Sequence, residues 1–405
     1  MLQILKMAFR DLGRNRRRSF FSALAVAIGL ALLMLLSSVI QGEMGSAIES
    51  AIQLQSGHFQ VRSTSYDENK SSLKWEDLVE NPEQIASDIA RNSDVKVATP
   101  RLFASGFLST GDESSGVRIY GIDPGSAAND PYRAGIVSGD FLTADDREGL
   151  LIGQPAALKL HLQAGDKVSL SVNTSNGDVL EQTFTIRGIY STNTYGFDSS
   201  TVLLPLAKAQ AITQTENHAS TIFVILKDTS LTDEAVKAIN IPGLEVKTWK
   251  DLNILLTEFE TLANSYIGFF YLISLAITAS VIINTLIMSV YERTREIGIL
   301  AAIGMRGGRI MGLFLSESLL LAIGGVLMGL VLGVFSVYLF NIKGFYIGNM
   351  GLNGMLVSDT IRAQLTVDKT ISVTIMTFVA TIVSGLYPAW MASRLEPVAA
   401  LRAEK

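Results

Sequence analysis

Four uninterrupted apolar stretches, at residues 20–40, 267–290, 310–340 and 371–390, constrain this chain more than any other feature. A bilayer core is crossed by about 20 helical residues at roughly 1.5 Å of rise each, and every stretch is long enough. With 48% hydrophobic and 18% charged residues over 405 positions, the chain is too apolar for one ordinary soluble domain. Between the first and second stretches, however, lies polar sequence with turn dipeptides such as Asp123-Pro124 and Asn176-Gly177, long enough to bury a core of its own. The expected fold class follows: a membrane protein of four transmembrane α-helices with a large mixed α/β extracytoplasmic domain inserted between helices 1 and 2.

Charge gives an orientation. Residues 42–264 hold 30 acidic and 17 basic side chains, a balance of −13. The segment before the first stretch carries Lys6, Arg10, Arg14, Arg16, Arg17 and Arg18 against Asp11 alone. Arg293, Arg295, Arg306 and Arg309 follow the second stretch, and Arg394, Arg402 and Lys405 follow the fourth. Basic residues in short loops stay on the cytoplasmic side. Both termini and the second loop are therefore expected inside, and the acidic domain outside. A cleaved signal peptide is the rival reading of the N-terminus, but signal apolar cores run to only about 7–15 residues, shorter than 20–40.

The resulting expectation is a cytoplasmic amphipathic helix at 1–18, spans at 19–41, 265–290, 309–340 and 370–390, and an extracytoplasmic domain with helical stalks at 42–264. A cytoplasmic loop or helix at 291–308, an extracytoplasmic loop at 341–369 and a cytoplasmic tail at 391–405 complete it. Leu2, Leu5, Phe9 and Leu12 recur at helical spacing opposite Lys6, Arg10, Arg14 and Arg17, which marks the first helix as surface-lying. Leu252, Leu255, Phe259 and Leu262 predict a second stalk over 251–263. Strands are expected around Val61, 95–97, 117–120 and 222–226, and helices at 82–91 and 231–239. Val168, Leu170 and Val172 face Phe184 and Ile186 across Asn176-Gly177, a hairpin signal suited to a type I′ turn.

Little points to catalysis. The sequence holds no G-x-x-x-x-G-K-[ST] phosphate loop and no G-x-S-x-G elbow. His58, His161 and His218 lack metal-ligand spacing, and the absence of cysteine removes disulfides and thiol chemistry. No catalytic residue, metal or cofactor is expected. Gly325, Gly329 and Gly333 form a row that admits a close helix neighbour, either within this chain or from a second subunit. Glu317 is a carboxylate inside the third span, where burial is costly; it either pairs with Arg306 or Arg309 or takes part in a conformational change.

The segment Tyr291-Glu292-Arg293-Thr294-Arg295-Glu296-Ile297-Gly298-Ile299-Leu300-Ala301-Ala302-Ile303-Gly304 resembles the cytoplasmic coupling segment of FtsX/MacB-family ABC permeases. Similar likenesses run through Arg10 to Ser19, through Ile152-Gly153, Leu160 and Gly165-Asp166, and from Tyr387-Pro388-Ala389 through Arg394-Leu395-Glu396-Pro397 to Leu401-Arg402. Within the family the chain looks most like the lipoprotein-releasing, LolC/LolE-type permease subunits. The resemblance implies a permease in the bacterial inner membrane that pairs with a second permease subunit, identical or related, among membrane lipid. It also implies a cytoplasmic ABC ATPase dimer as partner, which binds the ATP, and an outer domain split into two subdomains. Glu292, Arg293, Arg295, Glu296, Ile299, Leu300 and Ile303 are then the residues that dock to the ATPase.

The implied work is extraction or export of a lipidated or hydrophobic substrate, foremost a lipoprotein handed to a periplasmic carrier; no nucleic-acid partner is expected. The tight hairpin at Asn176-Gly177 departs from the longer, proline-bearing loop of the carrier-recruiting member, so the chain matches the non-recruiting subunit or a different exporter. The alternative within the family is a signalling permease that regulates a cell-wall hydrolase or a sensor kinase without transport. A membrane-anchored binding protein accounts for the outer domain but not for the 291–304 segment.

Overall fold

The computed structural model describes residues 2–67, 73–111, 113–239, 241–346 and 359–396. Expectations that touch Pro397, Leu401, Arg402 and Lys405, or the middle of the 341–369 loop, lie outside the described residues. Those described fall into two compact units, one within 1–43, 260–345 and 361–405, the other within 44–259 and 346–360.

The first unit is helical. It contains α1 (Leu2–Arg14), the start of α2 (Arg16–Ser50), most of α3 (Ile254–Glu292), α4 (Thr294–Ala302), α5 (Gly307–Lys343), α6 (Val367–Ser384) and α7 (Leu386–Ser393). Four segments are long and apolar enough to cross a membrane: Arg16–Ser56, Ile254–Glu292, Gly307–Lys343 and Val367–Ser393. The fourth is α6 and α7 together, broken at Gly385. Pro388 cannot donate to the Ser384 carbonyl, and a Cβ on Gly385 would lie 1.7 Å from Ser318 Oγ on α5. On α1, Leu5 and Phe9 are exposed, whereas Ala8 is buried and Leu12 packs half-buried against the cluster of Ala23 and Val26.

The glycine row of α5 packs against α2 of the same chain, which answers the question the spacing left open. Cβ atoms at Gly325, Gly329 and Gly333 would lie 2.7 Å from Val26, 3.0 Å from Leu30 and 2.5 Å from the Met34 sulfur. Val26 and Leu30 are accordingly fully buried, Val26 with Ile282 and Leu286 of α3 and Leu321 of α5, and Leu30 with Val326 of α5 and Val373 of α6.

The second unit is built on one ten-stranded sheet, with two larger cores and two smaller ones. Its strands are β1 (Phe59–Ser63), β2 (Val95–Ser109), β3 (Ser114–Ile122), β4 (Ile136–Gly139), β5 (Gly149–Gly153), β6 (Lys167–Asn173), β7 (Val179–Tyr190), β8 (Thr201–Pro205), β9 (Thr221–Leu226) and β10 (Leu244–Thr248). The order is β10-β1-β9-β2-β3-β8-β5-β7-β4, with β6 lying between β2 and β7. The fifteen-residue β2 is shared: its first half pairs with β9 and its second with β3 and β6. Helices Pro82–Ala90 and Thr232–Ala238 cover a core of Phe59, Val61, Ile222 and Val224. Leu206–Thr213 covers the other, around Leu108, Leu170, Phe184 and Leu204.

Local geometry modifies two expectations. The β6–β7 hairpin forms, but among its turn residues only Gly177 takes positive φ (+88°), with its N–H bonded to Thr174 O. That is a type I turn closed by a left-handed glycine, not a type I′ turn. The second stalk begins at Ile254, not 251, because Asn253 breaks it from the short turn Trp249–Leu252.

At the centre of β2 stands Arg101, fully buried. It donates to Leu54 O at 2.9 Å and to Asn129 Oδ1 at 3.2 Å, and its guanidinium lies 3.5 Å over the Phe223 ring. Tyr132 Oη also donates to Leu54 O, at 2.6 Å. Leu54 belongs to the π-helical turn Ala51–Ser56 that prolongs α2, so the cation sits at the negative end of a long helix dipole.

Candidate functional site

Where α3 gives way to α4 the chain breaks at Arg293 (φ −112°, ψ 12°). The Thr294 hydroxyl donates to the freed carbonyls of Val290 and Tyr291, each at 3.0 Å, and Ile297 N–H bonds to Arg293 O to begin α4. At the other end Gly304 (φ +95°) closes the helix. Its N–H bonds to Ala301 O and that of Met305 to Leu300 O, a Schellman ending that needs the left-handed residue glycine supplies.

Inside this elbow Arg293 is a hub. Its guanidinium donates to Asp11 Oδ2 of α1 at 2.6 Å, to Glu296 Oε2 of α4 at 3.2 Å and to Glu317 Oε1 of α5 at 2.7 Å. Glu317 therefore pairs with Arg293, not with Arg306 or Arg309, which are exposed. The Glu317 side chain is 3% exposed and that of Asp11 13%. Two further pairs lie beside it, Arg14 of α1 to Glu296 of α4 at 2.7 Å and Arg18 of α2 to Glu292 of α3 at 2.5 Å. The Arg14 bond, with that of Arg293 added, outweighs burial and holds the Glu296 carboxyl below its ordinary pKa.

The seven residues expected to dock a partner separate into two sets. Arg293 is buried, while Glu292 and Glu296 are engaged in the ion pairs above and Leu300 is half-buried. Arg295, Ile299 and Ile303 are exposed, Ile303 by 80%. Tyr291, not among the seven, is also exposed, at the end of α3 just before the break at Arg293. The opposite face of α4 is fixed: Ile297 packs with Ile310 and Phe314 of α5 and with Ala389 and Ala392 of α7. Among the described residues no cluster of His, Asp or Glu could hold a metal ion.

Residues 19–240 match the MacB-like periplasmic core domain and residues 268–397 the FtsX-like permease C-terminal domain. The chain belongs to the FtsX/MacB family of permeases. It is a multi-pass membrane protein with four spanning helices and a mixed α/β domain between the first and second.

Among its relatives is the lipoprotein-releasing system transmembrane protein LolC of Neisseria meningitidis serogroup B, 24% identical over 98% of each chain. The LolE protein of the corresponding system in Haemophilus influenzae is 23% identical, over 94% of this permease and 93% of that protein. The macrolide export ATP-binding/permease protein MacB of Syntrophobacter fumaroxidans is 27% identical over 64% of this permease, which spans only 36% of that protein.

Proposed function

We propose that this permease couples ATP hydrolysis by a separate cytoplasmic ABC ATPase to the extraction or export of a lipidated or hydrophobic substrate, foremost the release of lipoproteins from the inner membrane. The exposed side chains of Tyr291, Arg295, Ile299 and Ile303 carry the reading. Two large apolar side chains and a cation along α4 and its end, with an exposed tyrosine just before the helix and the opposite side of α4 packed, have the composition of a docking surface and not of a solvated turn. Alignment along nearly the whole of a LolC protein supports the choice of substrate class. The excess of arginine around α1 and α4 supports a cytoplasmic position for both, with the acidic domain outside.

In this mechanism closure of the ATPase dimer displaces α4. The Arg293 hub passes the displacement to α1 and α5, and α3, continuous in sequence with the outer domain, transmits it outward. A second permease subunit, identical or related, completes the assembly. The test is to purify the permease with the ATPase encoded beside it and compare Ile299→Asp/Ile303→Asp with the parent. The double variant is expected to lose ATPase co-purification and lipoprotein release from nanodiscs while keeping its thermal unfolding temperature. Undiminished association overturns the docking role. Intact ATPase coupling without release of any lipidated substrate favours the signalling alternative.

A further inference from the structure

One face of the β2–β3 hairpin is covered and the other is partly bare. Leu102, Ala104 and Leu108 of β2 and Val117 and Ile119 of β3 point into the core. The alternate positions carry Ser105 opposite Arg118 and Phe107 opposite Gly116, and Ser171 of β6 lies on the other side of Phe107. A solvated face of an antiparallel sheet ordinarily bears polar side chains. Here Phe107 is 62% exposed and Val179, at the start of β7, 70%.

Between these two residues runs a groove of about 390 Å³, with Gly116, Ser105 and Ser171 among its lining. It leads to Arg118, which with Ser105 also lines a second cavity of about 260 Å³. Arg118 donates to Ser200 Oγ at 3.3 Å and pairs with no carboxylate among the described residues.

The volume lies within the range of small-ligand sites, about 300–1,000 Å³, and apolar walls with a few placed polar groups are the usual makeup of such sites. A hydrocarbon tail suits the walls that Phe107 and Val179 supply. At the end, a guanidinium paired with no carboxylate of the described residues suits a carboxylate or phosphate, which it grips bidentately. We propose that this groove binds a single-chain anionic amphiphile, with its tail between Phe107 and Val179 and its head on Arg118. The proposal does not rest on the transport reading, since a signalling permease with this sheet face would bind the same ligand.

The chain has no cysteine, so Val179→Cys places a single thiol on the groove wall. In the full chain in nanodiscs, sodium laurate is expected to slow labelling of that thiol by a water-soluble maleimide, saturably, while dodecanol at the same concentration does not. Adding Arg118→Gln is expected to raise the half-protecting laurate concentration about tenfold, as loss of one hydrogen bond between charged groups implies. Adding Gly116→Leu fills the groove and removes the protection. It does so without unfolding the sheet, because the nearest atom to a Cβ there is Phe107 Cε1 at 3.9 Å; an unchanged thermal unfolding temperature is the control. A labelling rate indifferent to laurate, or protection that dodecanol gives equally, overturns the proposal. Oxidative cross-linking of Val179→Cys into dimers would assign the face to a second copy and overturn it too.

Discussion

Arg293 shows how one side chain can hold four helices together and how dear its loss is. It is the sole cation hydrogen-bonded to Glu317 among the described residues. Removing one partner of a buried ion pair costs about 3–5 kcal/mol, because the other charge stays buried, whereas removing both is far milder. Arg293→Leu is therefore expected to lower the thermal unfolding temperature of the nanodisc-embedded chain sharply. Arg293→Leu/Glu317→Leu should recover part of the loss, the remainder being the largely buried Asp11 carboxylate left without its cation, and a double-mutant cycle measures the coupling. Asp198 supplies a second case, in the α/β unit. Its carboxylate is buried beside β8 and accepts from Thr192 N–H at 2.8 Å, Thr192 Oγ1 at 2.6 Å and Ser191 Oγ at 3.2 Å. Burial nevertheless pushes its pKa up to about 6, against the pull of those bonds. A carboxyl raised in the folded state binds its proton more tightly there than in the unfolded chain. Its contribution is thus complete below pH 4 and is lost as pH climbs through about 6, amounting to roughly 2–3 kcal/mol. Hydrogen-exchange protection of residues 191–198 is expected to fall between pH 4 and pH 7 after correction for intrinsic exchange, and Asp198→Asn should flatten that dependence. Neither hub nor acid was legible beforehand. Four arginines stand within reach of Glu317 in the sequence, and only the backbone break at position 293 decides which one turns inward.

At the scale of elements, the α2–α5 seam depends on what is missing from α5. A side chain at Gly329 meets Leu30 Cβ at 3.0 Å and Ala27 Cα at 3.1 Å, whereas one at Gly324 meets nothing within 4 Å. Gly329→Leu is expected to destabilise the helical unit by about 1–3 kcal/mol or more through overpacking. Gly324→Leu, on the same helix and equally apolar, should leave the unfolding temperature nearly unchanged. Four-residue spacing announced the row in the sequence, but spacing names no partner; the partner is read from the neighbouring atoms. The same limit applied to α4. Periodicity put Glu292, Arg295, Glu296, Ile299 and Ile303 on one stripe, yet only packing of Ile297 against Ile310 and Phe314 and the ion pairs of Glu292 and Glu296 reveal which of them are left facing out. In the β6–β7 hairpin the alternation of Val168, Leu170 and Val172 was sufficient for the strands. It was insufficient for the turn, since Asn176-Gly177 is compatible with more than one loop length.

For the molecule as a whole, the number of spans and the inserted domain were plain in the sequence because hydrophobic length has few rival explanations. The two cores strung along one sheet were not, because β2 reads as a short strand around Val95–Val97 and its continuation to Ser109 passes through Pro100 and Arg101, residues that ordinarily argue against a strand interior. There the unlikely residues are the informative ones: Arg101 anchors the carbonyl of Leu54 and lies over Phe223, which belong to two smaller apolar clusters.

The pairing of β1 with β10, Phe59 beside Thr248 and Val61 beside Val246, has one more consequence. The chain enters the α/β unit and leaves it along the same margin, with Trp249 N–H bonded back to His58 O at 3.0 Å. Neighbouring ends of this kind make an inserted globule exchangeable. The unit is entered and left at neighbouring points, so a foreign domain whose ends lie equally close could take its place in the sequence between the first and second spanning helices.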